Sequence, residues 1–426
     1  KNESTGQIEK LVSFRLQARV IPQPESGGGR GNTYAANSVL ASGAWYKIAT
    51  NRNGMYKLSY SYLKDTLNID VAAINPKTIQ VYGYPGGMLR EEAGTREYDD
   101  LVENAIIVVG EQDGKFDAGD YILFYGTSPD RIYIDSTNEV FHRKHLYDHY
   151  AYYFLTFNQQ NGKRVNNQQP SGTETGTVTT FDDYQFVENE LYNLAKSGKT
   201  WYGDLFDFST KEKTYTFSFP NINTSHPLEI TVDLAARSSS NHTNSFHISY
   251  NGTSLHTETI QMNLNMSMYD GVAAQNSNRK LTANPSGSSA NIKLTYNNNG
   301  NTEAKGYLNY LAVKARRNLV MSGAQMVFFN KSAAAPGALN KYVLQSSQPV
   351  VVWDITDPVN AKKQVLSGSG SYSFLVENDV VKQFIAYTGS SFYSPKAMGQ
   401  VPNQNIHGTI GQPDYVIVAP AVFASE

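Results

Sequence analysis

The sequence predicts a mainly β protein: two or three sandwich- or barrel-like domains, followed by the first strand of an α/β domain. Three observations carry this. Short runs alternating apolar and polar residues recur along most of the chain between Gly, Pro, Asn and Asp clusters. Its 29 tyrosines, against 19 phenylalanines and 3 tryptophans, favour pleated surfaces with one edge in water. Near the end, Asp414-Tyr-Val-Ile-Val-Ala-Pro420 is continuously apolar, as in a strand buried on both faces of a parallel sheet. At 426 residues the length suits about three domains.

Residues 1–36 hold one alternating stretch, Leu11 to Val20, and then Pro22, Pro24 and the run SGGGRG, read as a strand and a flexible tether. Residues 37–160 form a first β domain from runs such as AWYKIAT, GMYKLSYSYL, TIQVYGY, AIIVVG, YILFYG and YAYYFLTF, with a short helix predicted around Tyr60 to Leu67. Residues 161–180 are polar and read as a linker or exposed loop. A second sandwich follows over 181–320, opening with a short helix between Phe181 and Ala195 and then alternating through KTYTFSF, LEITVDLAARS, FHISYNG, NIKLTYN and YLNYLAVKA. Residues 321–410 are a third β domain or an extension of the second. Residues 411–426 begin an α/β domain, with Pro420 suited to the first turn of its helix.

The composition narrows the function classes. Charged residues are 17% of the chain and the net charge is −2, so no global field gathers nucleic acid or an anionic membrane. No transmembrane helix is predicted, because no apolar run reaches 18 residues. Cysteine is absent, which removes disulfides, cysteine-ligated metals and thiol nucleophiles from these residues. The start lacks Met and an apolar leader core, which suggests a chain that begins downstream of a processed or trimmed segment.

Asp113, Asp117 and Asp120 lie among glycines in Gly110-Glu-Gln-Asp-Gly-Lys-Phe-Asp-Ala-Gly-Asp120 and could gather oxygens for a structural Ca²⁺. Their spacing is not that of an EF-hand loop, and Asp and Gly are also what tight turns use. His142, His145 and His149, with Asp148, form the one histidine cluster, but on an aromatic strand their rings would scatter over both faces. Ser197-Gly-Lys-Thr200 lacks the earlier glycine of a phosphate loop, since position 193 is Asn, and nucleotide binding is rejected. Sequons at Asn223, Asn241, Asn251, Asn265 and Asn330 mark loops expected to be exposed. No spacing specifies a catalytic triad or carboxylate pair, and surface Tyr, Trp and Asn leave a carbohydrate-binding or adhesin function open.

Several segments, in order, resemble the amino-terminal region of type IX secretion system sortases, the PorU-like family: Asn37-Ser-Val-Leu-Ala-Ser-Gly-Ala-Trp-Tyr-Lys-Ile48, Gly54-Met-Tyr-Lys-Leu58, Asn75-Pro-Lys-Thr-Ile-Gln-Val-Tyr-Gly83, Pro85-Gly-Gly-Met88, Asp100-Leu-Val-Glu-Asn104 and Asp113 to Gly126. Downstream come Trp201-Tyr-Gly203, Gln325-Met-Val-Phe328, Val352-Trp-Asp-Ile-Thr-Asp-Pro358, Asn403-Gln-Asn-Ile-His407 and Pro413-Asp-Tyr-Val-Ile-Val418. The resemblance implies a relative of the gingipain-type (C25) cysteine peptidases, on the outer face of the bacterial outer membrane. Implied partners are an outer-membrane barrel protein and other subunits of an attachment complex. The implied activity removes the carboxy-terminal signal of secreted cargo and joins the cargo to anionic lipopolysaccharide. That chemistry belongs to a caspase-like α/β domain with a Cys and a His, of which this chain would hold only the first strand. No catalytic residue is therefore assigned here, and His407 is read as holding the junction rather than as a catalytic histidine.

Overall fold

The computed structural model describes residues 35–84, 87–89, 98–135, 137, 139–157, 159–196, 198, 200–238, 241–262, 272, 274–408 and 417. The expected strand at Leu11 to Val20, the tether and the apolar strand at Asp414 to Val418 lie outside these, apart from Ile417.

A five-stranded antiparallel sheet opens the described chain, in the order Lys396–Val401, Trp45–Thr50, Ala151–Thr156, Gln80–Gly83, Val102–Asn104. A three-stranded sheet faces it, in the order Gly54–Ser59, Tyr121–Gly126, Ile107–Val109. Ile48, Leu58, Val81, Ile122, Phe124, Tyr153 and Leu155 fill the space between them. The run YILFYG is apolar throughout because both its faces are covered. Ile122 and Phe124 enter this core, whereas Leu123 and Tyr125 turn outward onto Trp353, Ile355, Ile385 and Tyr387. That second layer docks the amino-terminal unit onto the rest of the molecule.

The remainder is built on one ten-stranded sheet. Its path runs Asn166–Gln168, Lys362–Gln364, Val351–Asp354, Gln383–Tyr387, Gln325–Phe329, Thr180–Glu188, Lys305–Asn318, Leu228–Arg237, Gln275–Ala283, with Leu205–Phe206 pairing beside it. Two smaller sheets cover different parts of one long surface. Four strands, Glu212–Ser218, Ser289–Asn297, His242–Tyr250 and Thr253–Met262, enclose a core of Phe206, Phe217, Phe219, Ile230, Val232, Phe246, Ile292 and Leu311. Three strands, Gly176–Val178, Leu339–Gln345 and Ser371–Glu377, enclose a second core around Phe181, Phe328, Tyr342, Phe374 and Phe384. The two cores thus share a sheet without merging. The sheet is narrow where they meet: Thr180–Glu188 pairs with Gln325–Phe329 through Asp182 and Phe329 alone.

The fold is mainly β, made of open sheets with no closed barrel. Three local readings change. The segment 161–180 carries two short strands, Asn166–Gln168 and Gly176–Val178, each paired in parallel to a later strand at a sheet edge; backbone hydrogen bonds hold the polar first one, and the second also buries Val178 in the core around Phe181. The stretch from Phe181 opens as an extended strand rather than a helix, paired over nine residues with Lys305–Asn318. The helix expected around Tyr60 to Leu67 is a single wide π-type turn, Tyr62–Thr66, which inserts Leu63 into the core.

Candidate functional site

Period-two alternation in Thr180–Glu188 sends Val187 toward the core and leaves Tyr184, Phe186 and Glu188 on the opposite face of the sheet. A two-stranded hairpin, Arg131–Ile134 with Val140–Arg143, lies over this face. Its own alternation turns His142 down onto the sheet and Phe141 outward. The His142 ring stacks on Phe186 at 3.8 Å between centroids and meets the edge of Tyr310 at 5.0 Å. Nδ1 lies 2.6 Å from the Tyr184 hydroxyl and Nε2 lies 2.9 Å from Glu188 Oε2. A neutral ring that donates from Nε2 to Glu188 and accepts from Tyr184 at Nδ1 satisfies both bonds.

Beside this chain of bonds opens a cleft of about 840 Å³, within the size range of small-molecule sites. Its walls include Tyr133, Phe141, His142, Tyr184, Trp201 and Tyr310, and its polar groups include Lys144, Glu188, Glu190 and Asn309. Burial, followed by interaction with the neighbouring Glu188 carboxyl, pushes the pKa of Glu190 up to about 8. Its Oε2 is buried with no hydrogen-bond partner among the described residues. Asp233, at the back of the same face, is also raised, mainly by burial. Lys144 lies 3.4 Å from Asp130 Oδ2, at the cleft margin.

Apart from His142, the candidate metal ligands singled out from sequence do not line this cleft. Asp113 Oδ1 accepts from Lys115 N at 3.0 Å and Asp120 Oδ2 accepts from Asp117 N at 2.7 Å, so two of the three carboxylates cap the turn's backbone. The Asp120 carboxylate occupies the space a Cβ on Gly110 would need, 1.7 Å from Oδ1, which is why glycine stands there. No group of three His, Cys, Asp or Glu placed to hold a metal occurs among the described residues. The histidines separate as well: His145 Nδ1 accepts from the Tyr147 and Asp148 amides, and His149 is exposed. Of the sequons, Asn241 and Asn251 are exposed, Asn265 lies outside the described residues, and Asn330 is buried, contrary to the reading that all mark exposed loops. Its side chain donates to Thr180 O and accepts from Ala333 N.

Sequence reasoning found His142 but missed Tyr184, Glu188, Glu190 and Tyr310. The signal was present as Tyr184-x-Phe186-x-Glu188-x-Glu190, one face of a strand, and a helical reading of this segment concealed it.

No protein-family model and no curated protein matches the chain. Among solved structures it is similar to the crystal structure of dimeric latent PorU from Porphyromonas gingivalis, with a TM-score of 0.75 and 22% identity over 88% of this chain. The chain spans 34% of that protein's length. Matches to the insecticidal delta-endotoxin Cry8Ea1 of Bacillus thuringiensis (TM-score 0.22, 10% identity, 57% of this chain and 42% of the other) and to a Paenibacillus sp. cycloisomaltooligosaccharide glucanotransferase (0.17, 10%, 52% and 46%) carry no weight. What is established is the fold: the sheets described above are those of a PorU-like β region.

Proposed function

We propose that this chain is the non-catalytic, amino-terminal β region of a cell-surface sortase of the type IX secretion system. The observation that carries the reading is the shared fold over 88% of the chain, together with the ordered motif series. With no cysteine in 426 residues, the chain supplies no thiol nucleophile, so its part in such an enzyme is to carry and position a peptidase domain and to meet cargo or neighbouring subunits. In this reading the parent enzyme is a gingipain-type cysteine peptidase at the outer face of the outer membrane. It removes the carboxy-terminal signal of cargo and joins the cargo to anionic lipopolysaccharide, next to an outer-membrane barrel partner.

The test is made in cells. Deleting the gene should leave cargo carrying its carboxy-terminal signal and released from the surface. Restoring the gene without codons 37–408 should fail to rescue processing, although the peptidase domain is retained. Normal cargo processing in the deletion strain would overturn the reading. Specific hits for the purified chain on a glycan array, in that same case, would favour the competing glycan-binding surface protein.

A further inference from the structure

The cleft beneath the Arg131–Arg143 hairpin has a chemistry that the sortase reading does not use. We propose that it binds an organic cation, the ammonium or guanidinium of a lysine or arginine side chain, which Glu188 and Glu190 hold against the rings of Tyr184, Trp201 and Tyr310.

Four observations converge on a cation. Glu188 and Glu190 set two carboxyls beside one another on the cleft wall, an arrangement that favours a retained proton or an incoming positive charge. Among the described residues Glu190 Oε2 is a buried acceptor without a donor, and an N–H group entering the cleft would supply one. Lys144 acts on Glu190 but lies within ion-pair distance of Asp130, and Arg143, the other described cation lining the cleft, has its guanidinium near the Tyr133 ring. The walls are rich in aromatic rings, whose faces attract cations. A metal ion is disfavoured because no three His, Cys, Asp or Glu placed to hold one are grouped here among the described residues. A neutral sugar would use the rings but leave the carboxyl pair protonated.

Binding is therefore coupled to loss of a proton. The groups facing Glu190 are Glu188, two residues before it at the end of the strand, Asp130, Tyr133, His142, Arg143 and Lys144 from the hairpin and its flanks, and Tyr184, Tyr310 and Asp233 from the sheet. Near neutral pH the pair holds a proton that an incoming cation displaces.

The experiment is isothermal titration calorimetry of the chain near pH 7 with capped lysine amide and capped arginine amide. Capped norleucine amide serves as the uncharged isostere, and each titration is run in two buffers of different ionisation enthalpy. A lysine- and arginine-containing peptide, run beside the single residues, reports whether backbone flanking the side chain adds affinity. The expected result is binding of at least one charged probe, with a Kd of about 1 mM or tighter. It should come with proton release, and norleucine amide should bind at least tenfold more weakly. Glu190→Gln should lose about tenfold in affinity and abolish the proton release, while Trp201→Leu, outside the carboxyl pair, should weaken binding with the proton release retained. Equal binding of norleucine amide, binding of neutral maltooligosaccharide or of Ca²⁺ in place of the charged probes, or no heat with either charged probe by the folded wild-type chain would each overturn the proposal.

Discussion

Gln325 joins the amino-terminal unit to the large sheet, and its removal has a calculable cost. One edge of strand Gly54–Ser59 pairs with Tyr121–Gly126; the other edge meets an isolated backbone bridge, Tyr393 opposite Tyr56, and no longer strand among the described residues. Gln325 acts as a one-residue neighbour there: its Oε1 accepts from Met55 N at 2.6 Å, and its Nε2 donates to Met55 O at 3.2 Å and to Ser391 O at 3.1 Å. Met55 is fully buried. Met55 O also accepts from Tyr393 N at 3.0 Å, so in Gln325→Ala the oxygen keeps a partner and the Met55 amide does not. An orphaned buried donor costs about 1–3 kcal/mol, and loss of the two bonds to still-satisfied or exposed carbonyls adds about 0.5 kcal/mol. The expected destabilisation is about 1.5–3.5 kcal/mol, a substantial part of a typical stability. Equilibrium urea unfolding followed by tryptophan fluorescence reads it, because Trp353 is buried in the layer beside Gln325. Gln325→Glu keeps an acceptor for Met55 N but turns a charge toward two carbonyls, and should be no more stable than Gln325→Ala. A loss below about 0.5 kcal/mol for Gln325→Ala, with the urea slope unchanged, would refute the assignment of Gln325 as the link.

Gly306 lies where a Cβ would stand 2.3 Å from Phe246 Cζ and 2.8 Å from Tyr296 Cε2, so Gly306→Ala should cost about 1–3 kcal/mol or more by overpacking; partial recovery in the double variant with Phe246→Leu is the check. For Glu190, a folded pKa of about 8 against the usual 4.5 means that folding takes up a proton between those values. Stability therefore falls as pH rises through this window, and Glu190→Gln, which cannot ionise, should gain in melting temperature relative to wild type as pH goes from about 5 to 9; a constant difference would contradict the assignment. Asp120→Ala removes the acceptor for Asp117 N and should destabilise by about 0.5–2 kcal/mol, equally with and without calcium; a calcium-dependent rise in the wild-type melting temperature that the variant abolishes would instead assign an ion to the loop.

Legibility in the sequence followed how each strand is buried. Leu228–Arg237 and Ser289–Asn297 face one core each, so their alternation was plain. Strand Thr180–Glu188 was misread because a hairpin covers its second face, and Phe186, under the His142 ring, interrupts the polar pattern there. Asn166–Gln168 gave no apolar signal, since edge pairing needs only backbone groups, and Gly176–Val178 offered one buried residue, Val178, too few to show a period. The cleft was hidden for a further reason. Its parts come from the hairpin, from Thr180–Glu188 and the residues just beyond it, and from Lys305–Asn318, and only long-range pairing makes Glu188 a neighbour of Tyr310.

The motif series has a physical account that does not depend on the family. Segments far apart in sequence meet where irregular backbone must find hydrogen-bond partners. Strand Trp45–Thr50 is flanked by Lys396–Val401, with Trp45 opposite Val401. Just before it, residues 37–43 form no regular ladder, and Asn403 and Asn405 serve them. Ser38 N donates to Asn405 Oδ1 at 2.8 Å, and Asn403 Nδ2 donates to Leu40 O and Gly43 O at 3.1 and 2.9 Å. Asp100 completes the clasp by accepting from Val39 N at 2.7 Å, and His407 stands 3.8 Å from Asp99. The Gln325 and Gly54 segments meet in the same manner through Met55. Three segments in the first case and two in the second thus read as separate motifs only in sequence. In the fold each set is one contact, and the first ties residues near position 400 to the segment that leads into the first described strand.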